Sequence, residues 1–310
     1  MNPHSTGKKG PNQSALWERI NKTQLSKERI GDLTNFKSGP VNYKLALWNP
    51  ETNGVRYLKS LLFNLCKMLP HSSWEQLGRI KHREIGSPIF IRFGEYQICM
   101  DYLQALYEIA FIKDSLQGRD NPTILEIGAG YGRTCHSILS NFEVCLYYIV
   151  DLENSLWLAQ RYLKEVLEQD QFERIRFVLA DSFKSSLGQA EVDLSINIDS
   201  FAEMDASVVN YYLEYVNHHS HMFYVKNPVG KYYDPSLDKH HEGEEPVALA
   251  LNTGLLRTVI DIFDPHEIGM QAPEFVRVYA PGKGWFCVAN SWAPPWSHYW
   301  QAIYHRDDAP

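Results

Sequence analysis

Residues 124–133 constrain this chain more than any other stretch: Ile124-Leu125-Glu126-Ile127-Gly128-Ala129-Gly130-Tyr131-Gly132-Arg133. A short apolar run carries a carboxylate near its end, a glycine turn follows at once, and residues 133–140 then read as helix. Strand, tight turn and helix N-terminus in that order make a nucleotide-type cofactor site. A dinucleotide fingerprint places a third glycine where helix and strand pack closely. Arg133 stands at that position, and its bulk opposes such packing. The pattern is instead acid-x-Gly-x-Gly-x-Gly, which suits a mononucleoside ligand with no pyrophosphate to cradle.

From Asn121 onward, strand-like and helix-like runs alternate over 123–127, 133–140, 146–150, 155–167, 175–179, 193–198, 208–216 and 222–225. That alternation predicts an α/β fold, a parallel sheet with helices on both faces. After Asn227-Pro228 comes a polar loop over 230–246, then a predicted helix over 249–260. Residues 275–279 and 285–289 read as late strands joined at Pro281-Gly282, which completes a seven-stranded sheet. Upstream, from Trp17 to about Leu116, apolar residues recur at helical spacing: Leu58, Leu61, Leu62, Leu65 and Leu69, then Met100, Leu103, Leu106, Tyr107 and Ala110. Ile85-Gly86-Ser87-Pro88 marks a turn between those helices, with a short strand over 89–91. The expected division is an N-terminal helical cap, 1–116, and an α/β core, 117–310, with the first 15 or so residues a frayed polar tail.

Composition narrows the function classes. The formal net charge of −7 argues against a nucleic-acid partner, because phosphate binding needs a basic footprint. The N-terminus lacks a signal-peptide apolar core. The most hydrophobic early run, 58–69, is interrupted by Lys59, Ser60, Asn64 and Lys67 and does not suit a membrane span. The five cysteines, Cys66, Cys99, Cys135, Cys145 and Cys287, are odd in number and scattered. They suit neither a disulfide framework nor a structural zinc site, and the default is reduced thiols in a cytoplasmic protein.

Acids stand after the next two strands. Tyr147-Tyr148-Ile149-Val150 runs into Asp151, whose carboxylate can accept hydrogen bonds from both hydroxyls of a ribose. Arg176-Phe177-Val178-Leu179 leads to Ala180-Asp181-Ser182-Phe183, where an Asp can accept from an adenine amino group with Phe183 against the base. The fourth strand runs into Asn197-Ile198-Asp199-Ser200-Phe201-Ala202-Glu203-Met204. On these residues, and on 126–133 and 149–152, the chain resembles the class I S-adenosylmethionine-dependent methyltransferases. More narrowly it resembles the bacterial sugar O-methyltransferases, to which Val41-Asn42-Tyr43, Asn53-Gly54 and Asn227-Pro228 are also similar. The resemblance implies a Rossmann-like seven-stranded sheet with an N-terminal helical extension. It implies S-adenosylmethionine as cofactor, held by Glu126, Gly128, Gly130, Tyr131, Asp151, Leu152, Asp181, Ser182, Phe183 and Asn197. The partner it implies is a small-molecule acceptor, a sugar or another hydroxyl compound, and a homo-oligomer is compatible with it.

Several of these residues admit plainer readings. Asp151 and Asp181 each suit a helix cap. Tyr131 either covers the methionine part of the ligand or packs, and Arg133 reads as pinning the loop. Ser200-Phe201-Ala202-Glu203 is a capping-box pattern, Ser at N-cap and Glu three residues on. The functional alternative is that this helix start faces the donor methyl group, with Asp199 and Glu203 on nearly one face toward the acceptor. His218, His219 and His221 sit near a helix end, where imidazolium favours the dipole. His240 and His241 lie in a stretch, 234–245, that reads as a substrate lid, a metal-binding loop or a solvated turn, and no ligand spacing picks out a metal. The aromatic-rich end (Trp285, Trp292, Trp296, Tyr299, Trp300, Tyr304) reads mainly as packing, with part of it available to stack on a sugar ring or another flat acceptor.

Methyl transfer from a sulfonium is an in-line displacement that a protein serves mainly by positioning. An alcohol acceptor benefits from a general base, for which the candidates are Glu203, Asp199, then His240 or His241. Glu126 is better placed to bind the methionine ammonium or to pin the turn. The region 83–100, with Arg83 and Tyr96 as contacts, is expected to close over the acceptor. Two other classes fit the same motifs. One is an enzyme that cyclises S-adenosylmethionine to azetidine-2-carboxylate and methylthioadenosine in a closed aromatic pocket. The other is a binding or scaffold protein without chemistry. Asn197-Ile198-Asp199-Ser200 lacks the Asn-Pro-Pro-Tyr type motif of amino-purine methylases.

Overall fold

A computed structural model describes residues 14–23, 50–117, 119–234 and 243–307. Val41-Asn42-Tyr43, His240, His241 and the tail through residue 13 lie outside the described residues. The chain falls into two compact units, Met1–Asn64 and Leu65–Pro310. The first holds α1 (Ala15–Thr23) and most of α2 (Pro50–Met68), where Asn53-Gly54 is helical. The second begins with α3 (His71–Arg79), a hairpin of β1 (Ile91–Phe93) and β2 (Tyr96–Ile98), and α4 (Met100–Gln117). There follow β3 (Thr123–Ile127), α5 (Arg133–Leu139), β4 (Leu146–Asp151), α6 (Glu153–Val166), α7 (Gln169–Phe172) and β5 (Ile175–Leu179). Next are α8 (Phe183–Leu187), β6 (Val192–Ile198), α9 (Ala206–His219) and β7 (Ser220–Pro228). The chain closes with α10 (Glu244–Asn252), α11 (Pro265–Val278), β8 (Trp285–Trp292) and β9 (Tyr299–Arg306). Among the described residues no helix is long and apolar enough to cross a membrane.

The sheet has seven strands in the order β5-β4-β3-β6-β7-β9-β8. The first five are parallel, and the β8–β9 hairpin adds antiparallel strands beyond β7. Parallel strands joined by helices are covered on both faces, so side chains of both parities are apolar. Leu125, Ile127, Val150, Phe223 and Val225 enter one core. Their neighbours Ile124, Ile149, Met222 and Tyr224 enter the other, with Ile112 and Leu116 of α4 and Ile138 of α5. This is the Rossmann-like sheet that the motif order predicts. Within the expected cap, α4 belongs to the sheet's unit and packs on its α5 side.

The late elements differ from expectation. Residues 275–279 are not a strand: 275–278 end α11, and Tyr279 is its C-cap. Asp264 caps that helix, accepting from the His266 amide at 2.8 Å, Pro265 opens it, and Ile268, Ala272 and Phe275 form its buried face. In Phe275-Val276-Arg277-Val278 the aromatic ring and the two β-branched valines imitate a strand, but tertiary burial decides. The hairpin instead pairs β8 with β9, and β9 comes from the aromatic-rich end. The helix expected over 249–260 stops at Asn252. Gly254 at φ +75 donates its amide to the Met204 carbonyl at 2.7 Å, and the Ile260 amide donates to the Lys231 carbonyl at 2.8 Å, so the backbone there is held by contacts outside any helix. The short strand expected over 89–91 lies slightly later, at β1.

Candidate active site

The chain runs from β3 outward to β4 and β5, then returns to build β6 and β7 on the other side of β3. Such a reversal leaves a crevice outside the carboxyl ends of the strands, where open α/β sheets bind ligands. A cavity of about 1020 Å³ lies there.

The glycine turn forms its first wall. Gly128 (φ +76) and Gly130 (φ +56) occupy backbone conformations that side-chain-bearing residues rarely adopt. The Gly128 amide donates to the Val150 carbonyl at 2.8 Å, and a Cβ there would collide with the Ser200 side chain. At Gly130 a Cβ would meet nothing within 4 Å. Asp151 clamps the turn: its Oδ2 accepts from the Gly130 amide at 2.8 Å and its Oδ1 from the Leu152 amide at 2.7 Å. The plain reading of Asp151 as a helix cap therefore does not hold, since Leu152 occupies the N-cap of α6. Each carboxylate oxygen retains capacity for a further hydrogen bond. Leu152 and the exposed Asp181, in the 3-10 turn after β5, complete this wall.

The floor is ionic. Glu126, 2% exposed, accepts from the Tyr147 hydroxyl at 2.8 Å. Burial pushes its carboxyl up to about 7, against the pull of Tyr147 and Arg133. Arg133 grips Glu108 of α4 with two nitrogens, at 2.7 and 3.1 Å. Lys226 of β7 reaches the same carboxylate at 2.8 Å and Gln104 at 3.2 Å. Burial pushes Glu108 up, but Arg133 and Lys226 outweigh it and hold the carboxyl down at about 2. Tyr131 lines the cavity and donates to Asp101 at 3.0 Å.

The third wall follows β6. Asn197 is fully buried: its Nδ2 donates to the Ile127 carbonyl (3.0 Å) and to Ser200 Oγ (2.7 Å), and its Oδ1 accepts from Asn227 (2.7 Å). Asn227 in turn accepts from the Ala202 amide at 3.2 Å. These two asparagines tie the ends of β3, β6 and β7 together and set the next turn. In that turn Asp199 has φ +71 and ψ −44, close to a γ-turn geometry that is rare and strained. The Tyr299 hydroxyl, from the start of β9, donates to Asp199 Oδ1 at 2.5 Å. Burial, then the Asp199 charge, raises the Tyr299 phenol far above its ordinary value, so it remains a donor. Glu203 lies beside them; burial first and Asp199 second raise its carboxyl, opposed by Lys231. The capping box does not form. Ser200 Oγ donates to the Ile127 carbonyl at 3.2 Å, and α9 begins later, with Asp205 at its N-cap.

Of the predicted site residues, the structure brings together Glu126, Gly128, Gly130, Tyr131, Asp151, Leu152, Asp181, Asp199 and Glu203 around one cavity. Ser182, Phe183, Asn197, Arg83 and Tyr96 do not line it. Phe183 is fully buried against Tyr212 and Tyr215, with centroids at 5.0 and 4.6 Å, because it opens α8 facing the core, so it cannot lie on a base. Ser182 turns back to the Leu179 carbonyl at 3.2 Å. Arg83 donates to the Leu77 carbonyl at 2.8 Å and to Ile80, and Tyr96 packs on Trp74 at 5.5 Å. His240 and His241 lie outside the described residues. The sequence reading does not single out Gln104 and Lys226 as cavity residues, and it places Trp296 and Tyr299 in an aromatic stretch of which part is available to an acceptor. A lysine within the apolar run 222–225 and its continuation was a usable signal, because lysine is almost never fully buried unless paired. No local signal joins Tyr299 to Asp199.

No protein-family model matches this chain, and no curated protein does. Solved structures similar to it include the methyltransferase domain of a bacterial CtHen1, at 14% identity over 65% of this chain and 99% of that one, TM-score 0.44. An O-methyltransferase family 2 protein from Planctomyces limnophilus, in complex with apigenin, is similar at 13% identity over 66% of this chain and 57% of that one, TM-score 0.44. A geranyl diphosphate methyltransferase in complex with SAM is similar at 11% identity over 66% of this chain and 86% of that one, TM-score 0.43. The strand order and the cavity, rather than these overlaps, carry the functional reading.

Proposed function

We propose that this protein is an S-adenosylmethionine-dependent methyltransferase that acts on a hydroxyl of a sugar or another small polar acceptor. The observation that carries the reading is one cavity lined both by an Asp151-clamped glycine turn and by the carboxylate of Asp199, whose backbone is strained, in the turn after β6. The residues fit an adenosine ligand: the Gly130 turn is open, Asp151 keeps free lone pairs, and the volume suits two small ligands side by side. When bound, S-adenosylmethionine supplies a methyl group made electrophilic by its sulfonium sulfur.

The protein's own work is positioning and one proton. Asp151 would hold the ribose hydroxyls, Asp181 the adenine amino group, and Glu126 the methionine ammonium. In the turn after β6, Asp199 takes the proton of the acceptor hydroxyl. It is preferred to Glu203 because Tyr299 fixes its Oδ1, while Oδ2 has no hydrogen bond among the described residues. Two acidic acceptors beside the aromatic rings of Trp296 and Tyr211 match a polyol with an apolar face. The test is incubation with methyl-labelled S-adenosylmethionine and a panel of hexoses and nucleotide sugars, read by mass spectrometry. The expected result is label in an acceptor with an equimolar yield of S-adenosylhomocysteine. Methylthioadenosine in its place, or no calorimetric binding of S-adenosylhomocysteine, overturns the proposal.

A further inference from the structure

The turn that carries Asp199 and Glu203 is braced by a lysine whose hydrogen bonds do not require its charge. The Ala202 carbonyl, one residue before Glu203, has Lys231 Nζ and Thr253 Oγ1 as donors, each at 2.8 Å. Lys231 Nζ also donates to Thr253 Oγ1 at 3.1 Å. One residue after Glu203, the Met204 carbonyl accepts from the Gly254 amide at 2.7 Å. The lysine is itself held by its backbone, its amide on the Thr258 carbonyl and its carbonyl on the Ile260 amide, both at 2.8 Å.

Lysine normally carries its ammonium out to water over an apolar stem. Here the ammonium is half-buried, and burial lowers it first, with Glu203 raising it, Arg257 lowering it and Asp199 raising it. A neutral donor serves a carbonyl without that cost, and the Thr253 hydroxyl is already in place. The charge has its use on the cavity side. Burial and then Asp199 raise the Glu203 carboxyl, and Lys231 is the cation that opposes them. The other titratable groups facing this turn bring no positive charge to it near neutrality. Burial, against the pull of Asp199, holds His298 down at about 4, and burial and then Asp199 raise the phenols of Tyr279 and Tyr299. Arg257 turns its Nε to the Gly254 carbonyl at 3.1 Å.

We infer that Lys231 is a positioning residue of the acceptor site: anchored on the Ala202 carbonyl, its ammonium holds the turn after β6 and lets Asp199 and Glu203 stand ionised side by side. The roles of the two carboxylates rest on the methyltransferase reading above. Two carboxylates that share a site without a cation retain one proton between them, and a retained proton blocks the base.

The test is a carbon-detected NMR titration of the Glu203 carboxyl in the full chain, with the pH–rate profile of methyl transfer beside it. Lys231→Met should move the Glu203 midpoint up by about half a pH unit or more, the size of one charge pair at a half-buried site. The acid limb of the rate profile should move the same way, and Lys231→Arg should restore both. Lys231→Gln keeps a donor for the Ala202 carbonyl and removes the charge, so it should behave as Lys231→Met does and keeps the test decisive if that variant does not fold. Thr253→Val takes a hydroxyl from the same carbonyl without touching a charge and should leave the midpoint in place. A Glu203 midpoint that keeps its wild-type value in the uncharged variants overturns the inference. So does an equal rise in Thr253→Val, which would make the effect one of turn structure. Wild type that binds no S-adenosylhomocysteine, while Glu203 still responds to Lys231, overturns the methyltransferase reading and leaves the charge coupling standing.

Discussion

On the β3–β4–β5 side of the cleft, the cavity is lined by the glycine turn and by carboxylates at or just after the ends of their strands, and Asp151 holds the Gly130 amide through one short crossover. On the β6–β7–β9 side, Asp199 depends on a hydroxyl 100 residues away in sequence and on two buried asparagines from different strands. The first wall is set by backbone conformation, so local sequence suffices to build it. The second is set by tertiary assembly, and its carboxylate sits on a strained residue that the surroundings must hold in place. On the proposed function, binding of the nucleoside is thereby separated from activation of the acceptor. Substitutions on the two walls should give different kinetic signatures.

The largest expected effect is on the assembled wall. Asp199→Asn keeps the shape and removes the base, so methyl transfer should fall by about 10²–10⁴, the range for a positioned general base. Affinity for S-adenosylhomocysteine, measured by calorimetry, should stay within about twofold on this division of labour. A parallel loss of binding would show that the walls are not independent. Next comes Asp151→Ala on the turn-built wall. It removes the ribose acceptor and releases the Gly130 amide, and affinity for S-adenosylhomocysteine should drop about a hundredfold, the sum of two charge-assisted hydrogen bonds at the low end of their range. Retained affinity in that variant would remove the adenosine site from this wall.

The same division explains what could be read from the chain. The parallel strands, the glycine turn, Asp151 and Asp181 were legible because each depends on residues within one strand–turn–helix unit. Asp199 and Glu203 were legible as carboxylates after a strand, but not their ranking, since Tyr299 decides it from the last strand. The helix ending in 275–278 reads locally as a strand because Phe275, Val276 and Val278 favour one, while Asp264, Pro265 and the face of Ile268, Ala272 and Phe275 settle it as helix. Phe183 shows the same limit: proximity to Asp181 in sequence says nothing about which way the first turn of α8 faces, and the ring turns to the core.

A smaller effect tests the floor under the turn-built wall. Glu126 titrates at about 7 in the folded chain because burial outweighs Tyr147 and Arg133, against an ordinary value of 4.5. The native state thus binds the proton more tightly than the unfolded chain does. Stability falls as pH rises from about 4.5 to 7, and the full penalty, up to about 3 kcal/mol, is present above 7. Glu126→Gln should match wild type near pH 4.5 and exceed it at pH 8 in urea unfolding. Its affinity for S-adenosylhomocysteine should be lower at pH 8, where the wild-type carboxylate can meet an ammonium. A variant without extra stability at pH 8 would mean that the cluster of Arg133, Glu108 and Lys226 already compensates the charge.

The smallest effect divides the assembled wall from within. Tyr299→Phe removes the hydroxyl that Asp199 Oδ1 accepts from and leaves the ring contacts with His298 and Trp296, at 5.1 and 6.2 Å, in place. If Tyr299 orients the carboxylate, methyl transfer should slow about tenfold, equivalent to one hydrogen bond of about 1.4 kcal/mol, with S-adenosylhomocysteine affinity unchanged. If the rate is unchanged, the Asn197–Asn227 tie and the γ-turn alone aim Asp199, and the long-range contact is only packing. Combining Tyr299→Phe with Asp199→Asn separates these cases. A positioning tyrosine has nothing left to position once the base is gone, so the double variant should be no slower than Asp199→Asn, whereas a tyrosine that touches the acceptor by itself should add its full tenfold.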